Sequence, residues 1–194
     1  MKLLFLGDVF GKPGRQAVQR LVPRLISRHG LDLVVANAEN AASGVGVTPE
    51  LADELLAAEV DLLTSGNHIW SKREIVPYLD KPGSRLLRPA NYPPGAPGRG
   101  RGVAVTPDGR RLGVINLEGR VFMKTLDDPF RVVLGRLPAR WTDLLLKAFV
   151  NLYDLSRVHM RFFNCNPHFC HSLTQVYRLV SLRGVKKITG EAKC

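Results

Sequence analysis

The sequence predicts an α/β fold in which a parallel βαβ half is followed by a β-hairpin and then by an irregular or helical C-terminal tail. Through residues 1–65, short apolar runs alternate with helix-like patterns. Two β-prone segments then flank a tight turn, and the alternation is lost after Phe130. Strands that alternate with helices at this spacing are typical of parallel sheets.

Length and composition restrict the class of protein. The chain has 194 residues, of which 45% are hydrophobic, and this fits one domain or one domain with an appendage. No apolar run reaches the roughly 18 residues of a membrane helix. Asp8 interrupts the N-terminal run too early for a signal peptide. We therefore expect a cytoplasmic protein with no membrane association. The three cysteines all lie after residue 164, so they form no disulfide framework.

The positive charge is unevenly distributed along the chain. The formal net charge is +11. Residues 1–130 carry 17 Lys and Arg against 14 Asp and Glu, whereas residues 131–194 carry 11 against 3. Together with the loss of the βα pattern, this contrast predicts two unlike parts, residues 1–130 and a basic tail of residues 131–194.

The first strand and helix are predicted from one apolar run and one periodic pattern. LLFLG, Leu3–Gly7, indicates a buried strand, and apolar residues then recur at three- and four-residue spacing, as in a helix. Pro13 suits the first turn of that helix, and Pro23 predicts a bend or a weak point within it. Gly30 is expected to end it.

The second and third strands follow the same pattern. LDLVVAN, Leu31–Asn37, is apolar almost throughout, which is typical of a strand covered on both faces. Thr48 is the predicted cap of the next helix, with Pro49 in its first position. VDLL then begins the third strand at Val60.

The later segments differ in character. Residues 89–102 are rich in Pro and Gly and should be irregular. GVAVT, PDG and RLGVIN then predict an antiparallel hairpin. In the tail, TDLLLKAFVNLYDL suggests a helix capped by Thr142, and RFFNCNPHFCHSL suits neither a helix nor a strand.

Polar side chains follow each of the three predicted parallel strands. Asp8 follows the first strand, Glu39 and Asn40 follow the second, and Asn67 and His68 follow the third. Because the carboxyl ends of parallel strands share one edge, we expect these side chains to converge. Carboxylate and amide oxygens with one imidazole suit Mg, Mn or Fe(II). The sequence therefore predicts a metal site at this edge.

Each of these residues also has an ordinary structural explanation. An Asp after a strand is commonly a helix cap or a turn former. Glu39 and Asn40 could begin a solvated loop, and His68 could lie in an exposed turn. The coincidence of three such strand ends favours the site. GDVFGKPGR is not a phosphate-binding P-loop, because Gly7 and Gly11 are one residue too close and Pro13 replaces the hydroxyl residue.

Five blocks of the sequence resemble a known family. They are GDVFGKPGR, ANAENAASGVGVTP, SGNHIW, RLLRPANYPPGAPGRG and INLEGRVFM. In this order they resemble the calcineurin-like metallophosphoesterases, in particular the YmdB-like subgroup of bacterial cyclic-nucleotide phosphodiesterases. The resemblance covers about residues 1–130 and implies the N-terminal part of a metallophosphoesterase domain, an incomplete sandwich.

The resemblance implies a centre of two metal ions. Iron is the first candidate for these ions, and manganese and magnesium are the alternatives. Asp8 and Asn40 would bind the first metal, Glu39 would bridge both metals, and Asn67 would bind the second. His68 would be catalytic, protonating the leaving oxygen or steadying the phosphate. Two cations would polarise the phosphoryl oxygens and lower the pKa of a bridging water.

Arg88 and Asn91 lie in the Pro- and Gly-rich loop that, by the resemblance, borders the substrate cleft. Arg88 is a candidate phosphate contact and Asn91 a candidate substrate-binding residue. A packed structural loop explains both residues equally well.

The resemblance ends just after Asp127–Arg131. The family has further histidine ligands in its C-terminal half, including a Gly-Thr-His-Thr-His block, and this sequence has none there. Its tail histidines are His159, His168 and His171. We expect a frameshifted or truncated product, with a genuine divergent segment as the alternative, and weakened metal binding and activity in either case.

Two classes of function follow. The first is a metal-dependent phosphoesterase, of the 2′,3′-cyclic-nucleotide phosphodiesterase kind, that acts on a phosphodiester or cyclic nucleotide. The alternative is a non-enzymatic, basic nucleic-acid-binding protein that uses its tail and the arginines of PGRGR, Pro97–Arg101, and that could associate with RNA. Binding through phosphates weakens steeply as salt rises, which separates the two. A homo-oligomer is compatible with either.

Overall fold

Two β-sheets pack together in the described part of the chain, with three helices on the first sheet and the fourth against a strand of the second. The computed structural model describes residues 1–120 and 123–136, together with the backbone of three later strands. The elements in chain order are β1 (Lys2–Leu6), α1 (Gly11–His29), β2 (Leu33–Asn37), α2 (Pro49–Ala57), β3 (Leu62–Thr64), a 3-10 turn (Asn67–Trp70), α3 (Ile75–Asp80), β4 (Arg101–Val105), β5 (Arg111–Glu118), α4 (Pro129–Arg136), β6 (Leu145–Asn151), β7 (Tyr177–Ser181) and β8 (Gly184–Ile188).

The first sheet has the order β3-β2-β1-β7-β8 and the second has the order β4-β5-β6. β1 pairs with β2, and β2 with β3, in parallel, so the predicted βαβ half is confirmed. β4 and β5 form the predicted antiparallel hairpin. β7 joins the first sheet antiparallel to β1, and β6 joins the second sheet parallel to β5.

The predicted helix boundaries have clear physical causes. Gly30 ends α1 in the left-handed conformation, at a φ of 57°, which glycine adopts without a steric penalty. The Thr48 side chain accepts a hydrogen bond from the Leu51 N–H at the start of α2. α1 continues through Pro23. Both predicted caps are therefore confirmed.

Two apolar layers cover opposite faces of the first sheet. Alternate residues of a strand point to opposite faces. Leu4 and Val34 belong to the layer under the helices, whereas Leu3 and Val35 pack against Leu112 of the second sheet. The three parallel strands are thus covered on both faces, which explains why their sequences are apolar throughout.

The predicted helix in the tail is wrong where the structure describes it. Leu145–Asn151 forms the strand β6, and each of its residues is in register with a residue of β5, from Leu112 to Glu118. Apolar periodicity cannot separate a short helix from a buried strand, and here pairing with β5 decides the conformation. The predicted cap Thr142 and the stretch RFFNCNPHFCHSL lie outside the described residues.

Within the described residues, no helix is both long enough and sufficiently apolar to span a bilayer.

Candidate metal centre

The polar residues that follow β1, β2 and β3 lie at one edge of the first sheet. These strands are adjacent and parallel, so their carboxyl ends lie side by side. The loops after β1 and β2 are also joined directly. The Val9 N–H donates to the Asn37 carbonyl and the Gly11 N–H donates to the Asn40 carbonyl, both at 2.9 Å. The spacing of the predicted residues is therefore held by backbone hydrogen bonds.

Asp8 has an unusual backbone conformation, with a φ of 42°. Residues other than glycine rarely adopt this left-handed region, and such strain is concentrated at functional sites. The Asp8 Oδ1 accepts a hydrogen bond from Asn40 Nδ2 at 2.6 Å. The first two predicted strand ends are thus linked through their side chains.

His68 extends this link to the third strand. Its Nδ1 lies 2.6 Å from Asn40 Oδ1. Asn40 Nδ2 donates to a carboxylate, so Asn40 Oδ1 is an acceptor and His68 Nδ1 must carry the proton. Nε2 is then the ring nitrogen that Asn40 does not contact. Asp8, Asn40 and His68 form one hydrogen-bonded chain that fixes the His68 tautomer.

Glu39 is buried beside this chain, with 6% of its surface exposed. Asn37 holds it twice, because its Oδ1 accepts from the Glu39 N–H at 3.1 Å and its Nδ2 donates to Glu39 Oε1 at 3.4 Å. The His68 N–H lies 3.5 Å from Glu39 Oε2. A β-carbon on Gly66 would lie 2.2 Å from Glu39 Oε2, so only glycine leaves room for the carboxylate.

Asn67 lies at the same edge, between Gly66 and His68 at the start of the 3-10 turn. It is half-buried. None of the hydrogen bonds described for residues 1–120 joins its side chain to the other predicted residues. The structure therefore brings Asp8, Asn40, His68 and Glu39 into contact and leaves Asn67 beside them.

Arg88 and Asn91 have structural contacts within their loop. The Arg88 guanidinium donates to three backbone carbonyls, those of Pro89, Ala96 and Pro97. Asn91 is fully buried; its Nδ2 donates to the Glu118 carbonyl at 2.8 Å, and its Oδ1 accepts from the Glu118 N–H at 3.0 Å. The sequence left two interpretations open, a substrate-binding loop and a packed structural loop. These contacts favour the packed structural loop.

A second group of polar side chains, which the sequence analysis did not single out, lies next to Glu39. Glu118 ends β5 and is 1% exposed. Both of its carboxylate oxygens are buried without a well-formed hydrogen bond among the described residues. Burial raises the pKa of Glu118 and the negative charge of Glu39 raises it further, whereas the nearby Tyr92 hydroxyl lowers it.

Tyr92 and Trp70 complete this second group. Their rings meet edge to face with centroids 5.3 Å apart. Burial, together with the charges of Glu118 and Glu39, raises the pKa of Tyr92 to about 12, so its hydroxyl is a donor at neutral pH. The Tyr92 hydroxyl and Trp70 Nε1 are also buried without a hydrogen-bond partner among the described residues. A polar residue at the end of an apolar strand, the signal used for β1–β3, would also have identified Glu118.

The donor chemistry of this edge fits a hard divalent cation. Two carboxylates, two carboxamides and one imidazole are available, and such oxygen-rich sets suit Mg, Mn or Fe(II). The buried Glu118 oxygens, whose hydrogen bonds are incomplete, also fit a nearby positive charge. No three His, Cys, Asp or Glu side chains within the described part of the chain are grouped closely enough to hold a metal.

A cavity of about 570 Å³ lies elsewhere, beyond the end of β5. Arg120, Asp128 and Arg131 are among its lining residues, and Arg120 pairs with Asp128 at 3.1 Å. Its lining includes none of the residues predicted for the metal site. The strand-end chemistry, rather than cavity size, therefore identifies the candidate centre.

Two known proteins are similar to this chain in sequence. The chain is 45% identical over 130 residues to a 2′,3′-cyclic-nucleotide 2′-phosphodiesterase of Bacillus subtilis, covering 67% of this chain and 48% of that protein. It is 38% identical over 92 residues to a putative phosphatase/phosphodiesterase of Mycoplasma pneumoniae, covering 47% of this chain and 32% of that protein.

Two solved structures resemble the fold. A hypothetical protein from Thermus thermophilus matches with a TM-score of 0.64 and 41% identity, covering 70% of this chain and 52% of that chain. A phosphatase from Mycoplasma pneumoniae matches with a TM-score of 0.61 and 31% identity, covering 70% of this chain and 50% of that one. The chain spans about half the length of the Bacillus subtilis relative and of both solved structures.

The YmdB-like protein family model matches residues 4–145, most of the chain and all of the candidate centre. The α/β fold, with its three parallel strands and its antiparallel hairpin, agrees with the structures of the phosphatase relatives. The chain belongs to the YmdB-like protein family.

Proposed function

We propose that the chain is a metal-dependent phosphoesterase of the 2′,3′-cyclic-nucleotide phosphodiesterase kind, with a dinuclear metal centre. The observation that carries the proposal is the hydrogen-bonded chain of Asp8, Asn40 and His68 beside the buried Glu39 carboxylate. The name of the Bacillus subtilis relative supports the substrate class.

In this proposal, Asp8, Glu39, Asn40 and Asn67 hold two divalent cations, with iron, manganese or magnesium as candidates. Bound cations polarise phosphoryl oxygens and lower the pKa of bound water. Glu39 supplies the bridging negative charge. Its position is set by Asn37 and by the absence of a side chain at Gly66.

His68 acts on the leaving group. With Nδ1 donating to Asn40, the Nε2 atom is the one available to exchange a proton with substrate. A proton carried on Nε2 would pass to the leaving oxygen, and solvent would return a proton to that nitrogen. Asn40 therefore has a positioning role toward His68 besides its role as a ligand.

We further propose that residues 1–130 are the N-terminal part of the metallophosphoesterase domain and that residues 131–194 are a divergent or frameshifted tail. By the resemblance, the family has later histidine ligands, and this sequence has no Gly-Thr-His-Thr-His block. We expect weak metal binding and a low hydrolysis rate as a result. The nucleic-acid-binding alternative rests on the tail's charge alone, which is 11 Lys and Arg against 3 Asp and Glu.

The substitution Glu39→Gln tests the proposal, because it removes the bridging charge and keeps the side-chain shape. We expect hydrolysis of bis(p-nitrophenyl) phosphate in Mn²⁺ to fall to the rate measured with a chelator. Glu59→Gln, at an exposed carboxylate, is the matched control and should retain the wild-type rate. Equal rates in wild type and Glu39→Gln would contradict the assignment.

A further inference from the structure

Glu118 approaches the candidate centre from the second sheet. Two residues earlier in β5, Asn116 Nδ2 donates to the Ser65 carbonyl at 2.8 Å and to the Leu87 carbonyl at 3.1 Å. Side chains two residues apart in a strand lie on the same face. Glu118 therefore lies on the same face of β5 as Asn116, the face that meets the end of β3.

The backbone of Glu118 is held rigidly in that position. The Asn91 side chain accepts from its N–H at 3.0 Å and donates to its carbonyl at 2.8 Å. Asn91 also donates to the Asp127 carbonyl at 3.1 Å. The backbone that carries the Glu118 side chain is thus held in place by buried contacts.

The Glu118 carboxylate lies in a buried polar cluster whose hydrogen bonds are incomplete. Its two oxygens make no well-formed hydrogen bond among the described residues. Burial raises the pKa of Glu118, and the donor beside it, the neutral Tyr92 hydroxyl, lowers that pKa. A buried carboxylate with incomplete hydrogen bonds is unfavourable, and the charge of Glu39 adds repulsion. A cation at this edge would relieve both penalties.

We propose that Glu118 contributes to binding of the divalent cation that Glu39 holds, as a further anionic residue of the centre supplied by the second sheet. The inference rests on the proposed function, because it concerns the same cation. The second sheet would then take part in the centre directly, besides covering the first sheet.

Glu118→Gln is the decisive variant, because it removes the charge and keeps the volume. Mn²⁺ binding is measured by isothermal titration calorimetry on the metal-stripped chain, and thermal unfolding is measured in chelator. We expect the Kd for Mn²⁺ to rise by about tenfold or more, as for other residues that support metal ligands. We also expect the metal-free melting temperature to rise, since a buried charge with incomplete hydrogen bonds is removed.

Three results would overturn the inference. The first is a Kd for Mn²⁺ that is unchanged in Glu118→Gln. The second is weaker binding together with a lower metal-free melting temperature, because a purely structural role predicts that combination. The third is an equal loss of binding in the control Glu59→Gln, whose carboxylate is exposed.

The same titration of Glu39→Gln separates this inference from the proposed function. Loss of Mn²⁺ binding in Glu39→Gln with an unchanged Kd in Glu118→Gln would overturn the role of Glu118 alone. A wild-type chain that binds no Mn²⁺, or a Glu39→Gln variant that binds it normally, would overturn both.

Discussion

At the scale of single residues, the centre depends on one missing side chain. A β-carbon on Gly66 would lie 2.2 Å from Glu39 Oε2 and 2.6 Å from Glu39 Cδ, far inside van der Waals contact. The φ of Gly66 is −143°, so its backbone does not require glycine. The requirement is for space beside the carboxylate. A carboxylate at the end of a flexible side chain can move away from a new β-carbon. A side chain at position 66 would therefore mainly displace the Glu39 carboxylate.

Gly66→Ala should therefore impair binding more than stability. We expect the Glu39 carboxylate to be displaced and Mn²⁺ binding, measured by calorimetry, to be weakened. The free energy of unfolding in urea should fall by about 1–3 kcal/mol at most, the usual cost of added volume in packed structure. Unchanged Mn²⁺ affinity would show that the carboxylate does not need this position.

At the scale of elements, the loop between α3 and β4 is built by backbone contacts. Arg88 binds three carbonyls of the loop, and the Ala90 N–H donates to the Asn116 carbonyl of β5 at 2.7 Å. The Asn116 N–H in turn donates to the Gly100 carbonyl at 3.0 Å. A β-carbon on Gly100 would lie 2.3 Å from the Cα of Ala90. Backbone, unlike a carboxylate, cannot move aside without disturbing the sheet.

Gly100→Ala should therefore destabilise the fold. Forcing extra volume into packed structure commonly costs about 1–3 kcal/mol, and the free energy of unfolding in urea should fall by at least that amount. Gly135→Ala, in α4, is the matched control, because a β-carbon there meets nothing within 4 Å. It should be neutral or stabilising. Equal stability of the two variants would contradict the tight contact at Gly100.

At the scale of the whole molecule, one ion pair joins the two sheets on their opposite edge. Asp32, just before β2, accepts from Arg110 Nη2 at 2.6 Å, and Arg110 lies in the β4–β5 turn. Asp32 also accepts from the Lys2 N–H. Burial alone would raise the pKa of Asp32, but the Lys2 N–H and the Arg110 guanidinium together lower it below its ordinary 3.8.

This ion pair predicts a pH-dependent contribution to stability. A lowered folded-state pKa stabilises the fold above pH 3.8, and the contribution is lost as the pH falls through the folded-state pKa. Because the pair is partly exposed, Asp32→Asn should lower the free energy of unfolding by about 0.2–1 kcal/mol at neutral pH. The decrease should become progressively smaller below pH 3.8. Urea unfolding across this pH range measures it. If the difference in unfolding free energy between wild type and Asp32→Asn does not depend on pH, the charge of Asp32 is not its cause.

Much of the fold was accessible from local pattern. Apolar runs, Gly30, Thr48 and the PDG turn predicted the parallel strands, the ends of the helices and the hairpin, since each depends on residues close in sequence. The contact of Asp8 with Asn40, and of Asn40 with His68, followed from the rule that parallel strands end at one edge.

Contacts between distant segments were decided only by the tertiary structure. β6 is a strand because β5 offers it backbone partners, which no property of its own sequence encodes. Glu118 comes close enough to feel the charge of Glu39 because the second sheet packs across the end of β3, a long-range placement that local periodicity cannot specify. The sequence by itself thus determined which residues end the first three strands, and packing determined which side chains from the second sheet meet them.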